Sequence, residues 1–285
     1  QLLRPGLSVV LVFCSPAYDL ERLGPLLHET FPCPVVGCTT AGEIESAAGY
    51  VSGAIVGVGL ASPELAAHPV LLSPLETFDL AMADRAARAL HEGLTLVDRA
   101  GPDNAFSLLL VDGLSMREEQ LAAALYGAMG EIPLVGGSAG DDLAFRRTSV
   151  YHDGRFRSDA AVLTLFETTL PFAVFKTQHF EPSEQRVVIT AARPEQRIVD
   201  EIDGLPAAEA YARLVGLSVA QLTPSVFSTY PLMLRIGGES YVRSIQRANP
   251  DGSLTFYCAI DEGLVLRIGR GVGLVENLEA QLEAL

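Results

Sequence analysis

The sequence predicts an α/β (α+β) protein: an internally duplicated N-terminal α/β region with mixed sheets, followed by a β-rich C-terminal region. Three observations carry this prediction. A short apolar, glycine-rich segment occurs twice, as Val36-Gly-Cys-Thr-Thr-Ala-Gly-Glu43 and Val135-Gly-Gly-Ser-Ala-Gly-Asp-Asp142, each just after a proline and each ending in an acid. A strand-like run and an amphipathic stretch precede both copies in the same order. Beyond residue 180 the pattern changes to short strands separated by Gly and Asn turns. Two copies point to pseudo-symmetric halves, because a solenoid needs at least about three repeats.

The first unit opens with a buried strand, Val9 to Phe13, closed by Ser15-Pro16. Helical spacing follows at Leu20, Leu23, Leu26, Leu27 and Phe31. After the first glycine-rich loop, Ser52 to Ala61 reads as a strand that Ala67 to Leu72 could pair, and Phe78 to Leu94 as an alanine-rich amphipathic helix. The second unit repeats this order with a strand at Phe106 to Val111 and a helix at Arg117 to Met129. A hairpin is expected from Thr148 to His152, turning at Asp153-Gly154 and returning through Ala160 to Phe166, with a closing strand at Phe172 to Phe175. The repeats span about residues 8–75 and 106–178, in an N-terminal region of 1–180.

Region 181–285 begins with strands at Arg186 to Thr190 and Ile198 to Ile202, the turn Asp203-Gly204, and a helix from Pro206 to Val215. Pro231 to Ile236, Tyr241 to Gln246 and Leu254 to Ile260 read as an antiparallel meander. Leu274, Leu278, Leu282 and Leu285 share one helical stripe, read as core in preference to a coiled connector.

Composition limits the function. The 285 residues are 49% hydrophobic, enough for a substantial core. Thirty-five acidic against twenty basic residues give a formal charge of −15, which repels a phosphate backbone and an anionic membrane face. No run approaches the roughly eighteen apolar residues of a membrane span, and no signal peptide is evident. Cys14, Cys33, Cys38 and Cys258 are irregularly spaced in apolar sequence, as for buried thiols in a reducing cytoplasm. Because the first residue is glutamine, the chain reads as an excerpt of a longer one.

The loops offer two chemistries. Gly136-Gly-Ser-Ala-Gly140 satisfies the G-x-S-x-G pattern of serine hydrolases, with Ser138 as nucleophile. That elbow needs a helix directly after the serine, whereas the sequence runs into a hairpin, and the first repeat places Cys38-Thr39-Thr40 there. Alternatively both loops line a pocket: Cys38, Thr39, Thr40 and Ser138 beside glycines, with Glu43, Asp141 and Asp142 for a cation or ammonium group. The plainer reading is that the acids satisfy turn amides.

Among the histidines, His28 and His91 fall in helices, His68 starts a strand, and His152 is expected to be solvated before its turn. His179 lies between Phe172 to Phe175 and Phe180, near the junction of the two regions. As an axial haem ligand it would have Val174, Phe175 and Phe180 as apolar walls, with Arg186, Arg193 and Arg197 for propionates. The plainer reading is a hydrogen-bonded packing histidine. Covalent haem attachment is excluded by the lack of a C-x-x-C-H motif.

At Val36 to Ile44, Leu134 to Asp142, Glu201 to Ala207 with Tyr211, Tyr241 to Arg243 and Asp251 to Leu254, the chain resembles the FIST family of bacterial sensory proteins over nearly its whole length. The resemblance implies a signal-transduction role beside histidine kinases, cyclic-dinucleotide enzymes or chemotaxis receptors, with small ligands such as amino acids; separately, no enzymatic activity is expected, and a homodimer is an expected assembly. Gln178-His-Phe-Glu-Pro182, Ile189-Thr190 and Tyr230-Pro-Leu232 are similar to the nitric-oxide-sensing NosP branch. This narrower likeness implies haem b, His179 as its proximal ligand, and control of a partner kinase. The family continues beyond the point where this chain stops, soon after Leu274, so the C-terminal region is expected to be incomplete.

Overall fold

A computed structural model describes residues 3–284. The chain divides between Phe172 and Ala173 into two compact units.

The first unit contains β1 (Leu7–Cys14), α1 (Leu20–Thr30), β2 (Val35–Thr39), β3 (Glu43–Glu45), β4 (Gly49–Val51), β5 (Ile55–Ala61) and β6 (Leu65–Leu72). It continues with α2 (Leu80–Glu92), β7 (Ala105–Val111), α3 (Glu118–Met129), β8 (Leu134–Ser138), β9 (Val150–His152), β10 (Arg155–Arg157) and β11 (Ala161–Thr168). The duplication is visible in the pairing. β1 pairs β2 in parallel and β5 antiparallel, while β7 pairs β8 in parallel and β11 antiparallel. The halves then exchange strands: β9 from the second half joins β2, and β6 from the first half joins β11. The resulting sheet orders are β10-β9-β2-β1-β5 and β6-β11-β7-β8.

Alternation along each strand explains the layers. Val9, Val36, Leu110, Val162 and Phe166, drawn from both sheets, form one buried cluster between them. Their neighbours Val10, Val12 and Val35 face the other way, with Leu27 of α1. Leu109, Val111, Ala161 and Leu163 likewise face Leu90 of α2 and Leu121 and Leu125 of α3. The unit is therefore a four-layer α-β-β-α sandwich, and its central strands are apolar on both faces. Asp19 and Asp79 cap α1 and α2 by accepting from the amides of Arg22 and Met82.

Four expectations are corrected here. β6 does not pair β5; the Ser62-Pro63-Glu64 turn carries the chain across to the other sheet, where Leu72 reaches the α2 side. The Asp153-Gly154 hairpin returns through β10, and β11 is a central strand of the second sheet. Phe172 to Phe175 form no strand: the Phe172 ring packs on Phe106 at 5.1 Å, and Val174 and Phe175 are each 43% exposed. His152 is half-buried, and burial holds its imidazole below the ordinary value.

Unit two contains β12 (Phe180–Arg193), β13 (Ile198–Ile202), β14 (Leu205–Pro206), α4 (Ala207–Val215), α5 (Pro224–Thr229) and β15 (Leu232–Ile236). It ends with β16 (Glu239–Arg243), β17 (Ile245–Ala248), β18 (Leu254–Phe256), β19 (Val265–Gly271) and α6 (Leu274–Glu283). One sheet runs β16-β15-β19-β12-β13-β18-β17, with β14 on β13. Its two outermost strands are consecutive in the chain and joined at Ser244, whose carbonyl accepts from the Tyr257 amide at 2.9 Å, so the sheet nearly closes on itself. Tyr211 of α4 and Phe227 of α5 sit in its core. The Leu274, Leu278 and Leu282 stripe on α6 is 42–54% exposed, which corrects the core reading; Leu285 lies outside the described residues.

Two local constraints fix the first unit. Gly37 and Gly136 occupy equivalent positions, opposite Val12 and Leu109, and a Cβ on either would stand 1.9 Å from that partner's backbone oxygen. Glu167 of β11, fully buried, accepts from the Thr95 amide and hydroxyl, the Leu96 and Val97 amides and His68 Nε2 at 2.6–3.0 Å. Burial opposes its charge, but the Thr95 hydroxyl and these amides outweigh it and bring its carboxyl down to about 2.

Gly37→Ala and Gly136→Ala should each lose about 1–3 kcal/mol or more in urea unfolding. Gly137→Ala, whose Cβ meets nothing within 4 Å, should stay within about 0.5 kcal/mol. For Glu167 the folded value lies below the unfolded value of about 4.3. Its contribution is therefore complete above roughly pH 5 and fades as pH falls toward 2. Acid titration of stability should show that limb, and Glu167→Gln should flatten it.

Candidate functional site

The two glycine-rich loops meet at the carboxyl ends of the parallel strand pairs. Gly140 donates its amide to Thr39 O at 2.8 Å, and a Cβ on Gly140 would stand 2.8 Å from the Ala41 nitrogen. Only glycine permits that approach. Thr39 is buried; its amide donates to Ser149 O at 2.9 Å and its hydroxyl accepts from Ser149 N at 3.0 Å. Thr40 Oγ1 donates to Glu43 Oε1 at 2.6 Å, and Glu43 Oε2 accepts from Ala54 N at 3.1 Å. Cys38 is buried, and burial followed by the neighbouring Cys14 pushes its thiol up to about 12, which removes thiolate chemistry.

Ser138 ends β8 and donates to Glu118 Oε1 at 3.1 Å. Residues 139–149 form turns and irregular backbone, so the helix that a nucleophile elbow requires does not follow it.

Those residues form a strap across both halves. Asp141 accepts from the amides of Phe145, Arg146 and Arg147 at 2.8, 2.6 and 3.0 Å. Burial opposes its charge, but the Arg146, Arg147 and Phe145 amides prevail and hold its carboxyl below the usual range. The clamp encloses Asp142, Leu143 and Phe145 at φ 55, 61 and 50°, left-handed conformations that bulky residues rarely adopt. Asp142 accepts from Ser15 Oγ at 3.1 Å in the first half, and Thr148 Oγ1 donates to Asp112 in the second. Ser15 and Asp112 are equivalents: each follows its strand and accepts from the amide two residues on, Ala17 at 3.2 Å and Leu114 at 3.0 Å.

Beyond β1 lies a crevice of about 500 Å³, lined by Pro16 and Tyr18, by Glu21 in the first turn of α1, by Arg147 of the strap, and by Arg155 and Phe156 of β10. Its frame is tight. A Cβ on Gly24 of α1 would clash with the Gly154 carbonyl, and Tyr151 Oη donates to Gly24 O at 3.0 Å. The place follows a general rule, since ligands of α/β sheets bind outside the carboxyl ends of parallel strands.

Of the residues expected to hold haem, His179 and Phe180 adjoin one another, while Arg193 and Arg197 lie at the other end of β12. His179 immediately precedes β12; its carbonyl accepts from Val272 N at 2.8 Å, and its ring lies 4.2 Å from that of Phe180. Arg193 ends the same strand, fourteen residues on from His179, along a strand with register irregularities between Pro182 and Arg186 and between Ile189 and Ala192. Its guanidinium is bidentate on Asp200 at 3.0 and 2.6 Å. Arg197 is buried and donates to Tyr257 O. Among the described residues no group of three or more His, Cys, Asp or Glu could hold a metal ion.

Sequence reasoning missed Ser15, Asp112, Arg147 and Arg155. The first two were findable by aligning the repeats, because each follows its strand and opens the turn into the helix. The arginines carried no such signal.

The FIST N domain model matches residues 8–205 and the FIST C domain model residues 207–285. No curated protein matches the chain. The chain belongs to the FIST family, whose domains are sensory parts of signal-transduction proteins. The N-terminal match runs past Phe172 to β14 of the second unit. Among the described residues no helix is long and apolar enough to cross a membrane.

Asp141→Ala should remove the strap's clamp and cost about 2–3 kcal/mol in chemical denaturation, because three amides lose a charged acceptor. Asp142→Ala, with one hydroxyl partner, should cost less.

Proposed function

We propose that this FIST chain is a haem-free small-ligand sensor whose binding site is the crevice beyond β1. The observation that carries the reading is the crevice's place beyond the carboxyl end of β1, where ligands of α/β sheets bind. Its 500 Å³ lies within the range of about 300–1,000 Å³ typical of small-molecule sites, as do cavities of about 470 and 480 Å³ elsewhere in the unit. Its walls come from the β1–α1 turn, the strap and the exchanged β9–β10 hairpin, so an occupant touches parts of both repeats. An amino-acid-like ligand is the class implied by the family likeness, and the signalling partner is a histidine kinase or a cyclic-dinucleotide enzyme. The loop residues Thr39, Thr40, Glu43 and Asp141 support the crevice by holding one another and the strap, not by facing a ligand.

Haem-dependent sensing of nitric oxide is the second reading, and one observation favours it: the half-buried His179 ring makes no hydrogen bond among the described residues. An unbonded imidazole can serve as an axial ligand, which would make iron chemistry available. Arg193 and Arg197 do not belong with that ligand, because both are engaged internally at the far end of β12.

Reconstitution with haem separates the two readings. The crevice reading expects no stoichiometric Soret band and no change on His179→Ala. A band that is stoichiometric in the native protein and lost in His179→Ala would replace it with the haem reading.

A further inference from the structure

We propose that the crevice selects a planar organic anion, with its carboxylate or phosphate between Arg147 and Arg155 and its flat body against Tyr18 and Phe156. The inference rests on the crevice being the sensory site and replaces the amino-acid-like class with the chemistry its walls accept.

The charge argument is the strongest. With thirty-five acidic residues against twenty basic, most of this surface repels anions. Yet two guanidiniums line one cavity, and neither has a carboxylate partner within 4 Å among the described residues. Arg193 and Arg213, by contrast, are paired, the first bidentate on Asp200 and the second with Glu209; what sets Arg147 and Arg155 apart is that both line one cavity. A pair of free guanidinium forks matches a carboxylate or phosphate, which accepts their parallel N–H bonds.

Position adds to charge. α1 is eleven residues long and starts at the cavity, so its first backbone amides and its dipole favour negative charge there. Asp19 satisfies the Arg22 amide, leaving the amides of Leu20 and Glu21 without intrahelical acceptors.

Preorganisation is the third element. The backbone at Arg147 is held by Asp141, and that at Arg155 by its register with His152 across the Asp153-Gly154 turn. The Phe156 ring is braced by Tyr151 at 5.0 Å. Tyr18 lines the cavity and is 40% exposed. Side chains mounted on fixed backbone lose less freedom on binding.

Glu21 sets the limit on charge. Among the lining side chains one carboxylate, Glu21, stands against two guanidiniums, which disfavours a cation.

The test uses the whole chain with four probes sharing one ring: benzoate, phenyl phosphate, benzylamine and phenylalanine, read by calorimetry and by amide shifts at Tyr18 and Phe156. Benzoate and phenyl phosphate should bind and weaken as salt rises. Arg147→Gln and Arg155→Gln should each weaken them about tenfold, as expected for loss of a charge-assisted bond. Glu21→Gln should tighten them severalfold. All three side chains are exposed or at the surface, and circular dichroism checks that the variants fold. Anion binding unchanged in both arginine variants, or benzylamine binding as tightly as benzoate, overturns the proposal. If phenylalanine alone binds and shifts Tyr18 and Phe156, the crevice remains the sensory site and only the anion class falls. Absence of shifts there with every probe removes both.

Discussion

Everything in the first unit depends on how closely two pairs of backbones approach. Gly37 and Gly136 let β2 and β8 lie so near β1 and β7 that a Cβ would meet a carbonyl oxygen at 1.9 Å. A third glycine sets the contact between the loops beyond these pairs, since Gly140 donates to Thr39 where a Cβ would meet the Ala41 nitrogen at 2.8 Å. The exchange of β6 and β9 locks the same arrangement, because neither sheet is complete without a strand from the other half. The glycines of the repeated motif therefore act on backbone spacing, while the crevice is framed by α1 against the β9–β10 turn.

The acids of the motif show how a charge can be structural without being inert. Glu43 and Asp141 turn inward and accept from amides and a hydroxyl of their own neighbourhood. A carboxylate so engaged has few lone pairs left for a ligand. What Asp141 contributes is position: it folds the strap, against the preference of three left-handed residues, into the shape that carries Arg147 to the crevice.

Much of the fold was legible in the sequence because it rests on local patterns. β1, α1, β7, α3, β13 and α4 were visible as apolar runs, helical spacing and turn residues. Partners were harder. Ala67 to Leu72 looks like the second arm of a hairpin, and only the sandwich, with cores on both faces of each sheet, explains why it crosses over. β19 passed unnoticed because Arg267 and Arg270 interrupt its apolar alternation, although Leu266 and Ile268 are buried. For the motif acids the plainer of the two readings holds, since Asp141 and Glu43 accept from nearby amides; the ligating alternative arose because a turn carboxylate and a ligating carboxylate look alike in sequence. Arg147 and Arg155 could not be foreseen at all. They are eight residues apart on different elements, and their joint cavity exists only once α1 packs against the β9–β10 turn.

A sensor must couple occupancy to a change of shape, and a ligand can do so only through different affinity for two conformations. The strap is suited to that task by its chemistry. Its left-handed residues store strain, its Asp141 clamp opposes that strain, and its side chains reach Ser15 in one half and Asp112 in the other. Arg147 stands on the last amide of the clamp, so any pull on its guanidinium is also a pull on the balance between strain and hydrogen bonding. Turning a 1:99 population into 99:1 requires about 5.5 kcal/mol of differential affinity. A few charge-assisted bonds of about 1.5–3 kcal/mol each can supply that difference, provided they form in one strap conformation and not the other.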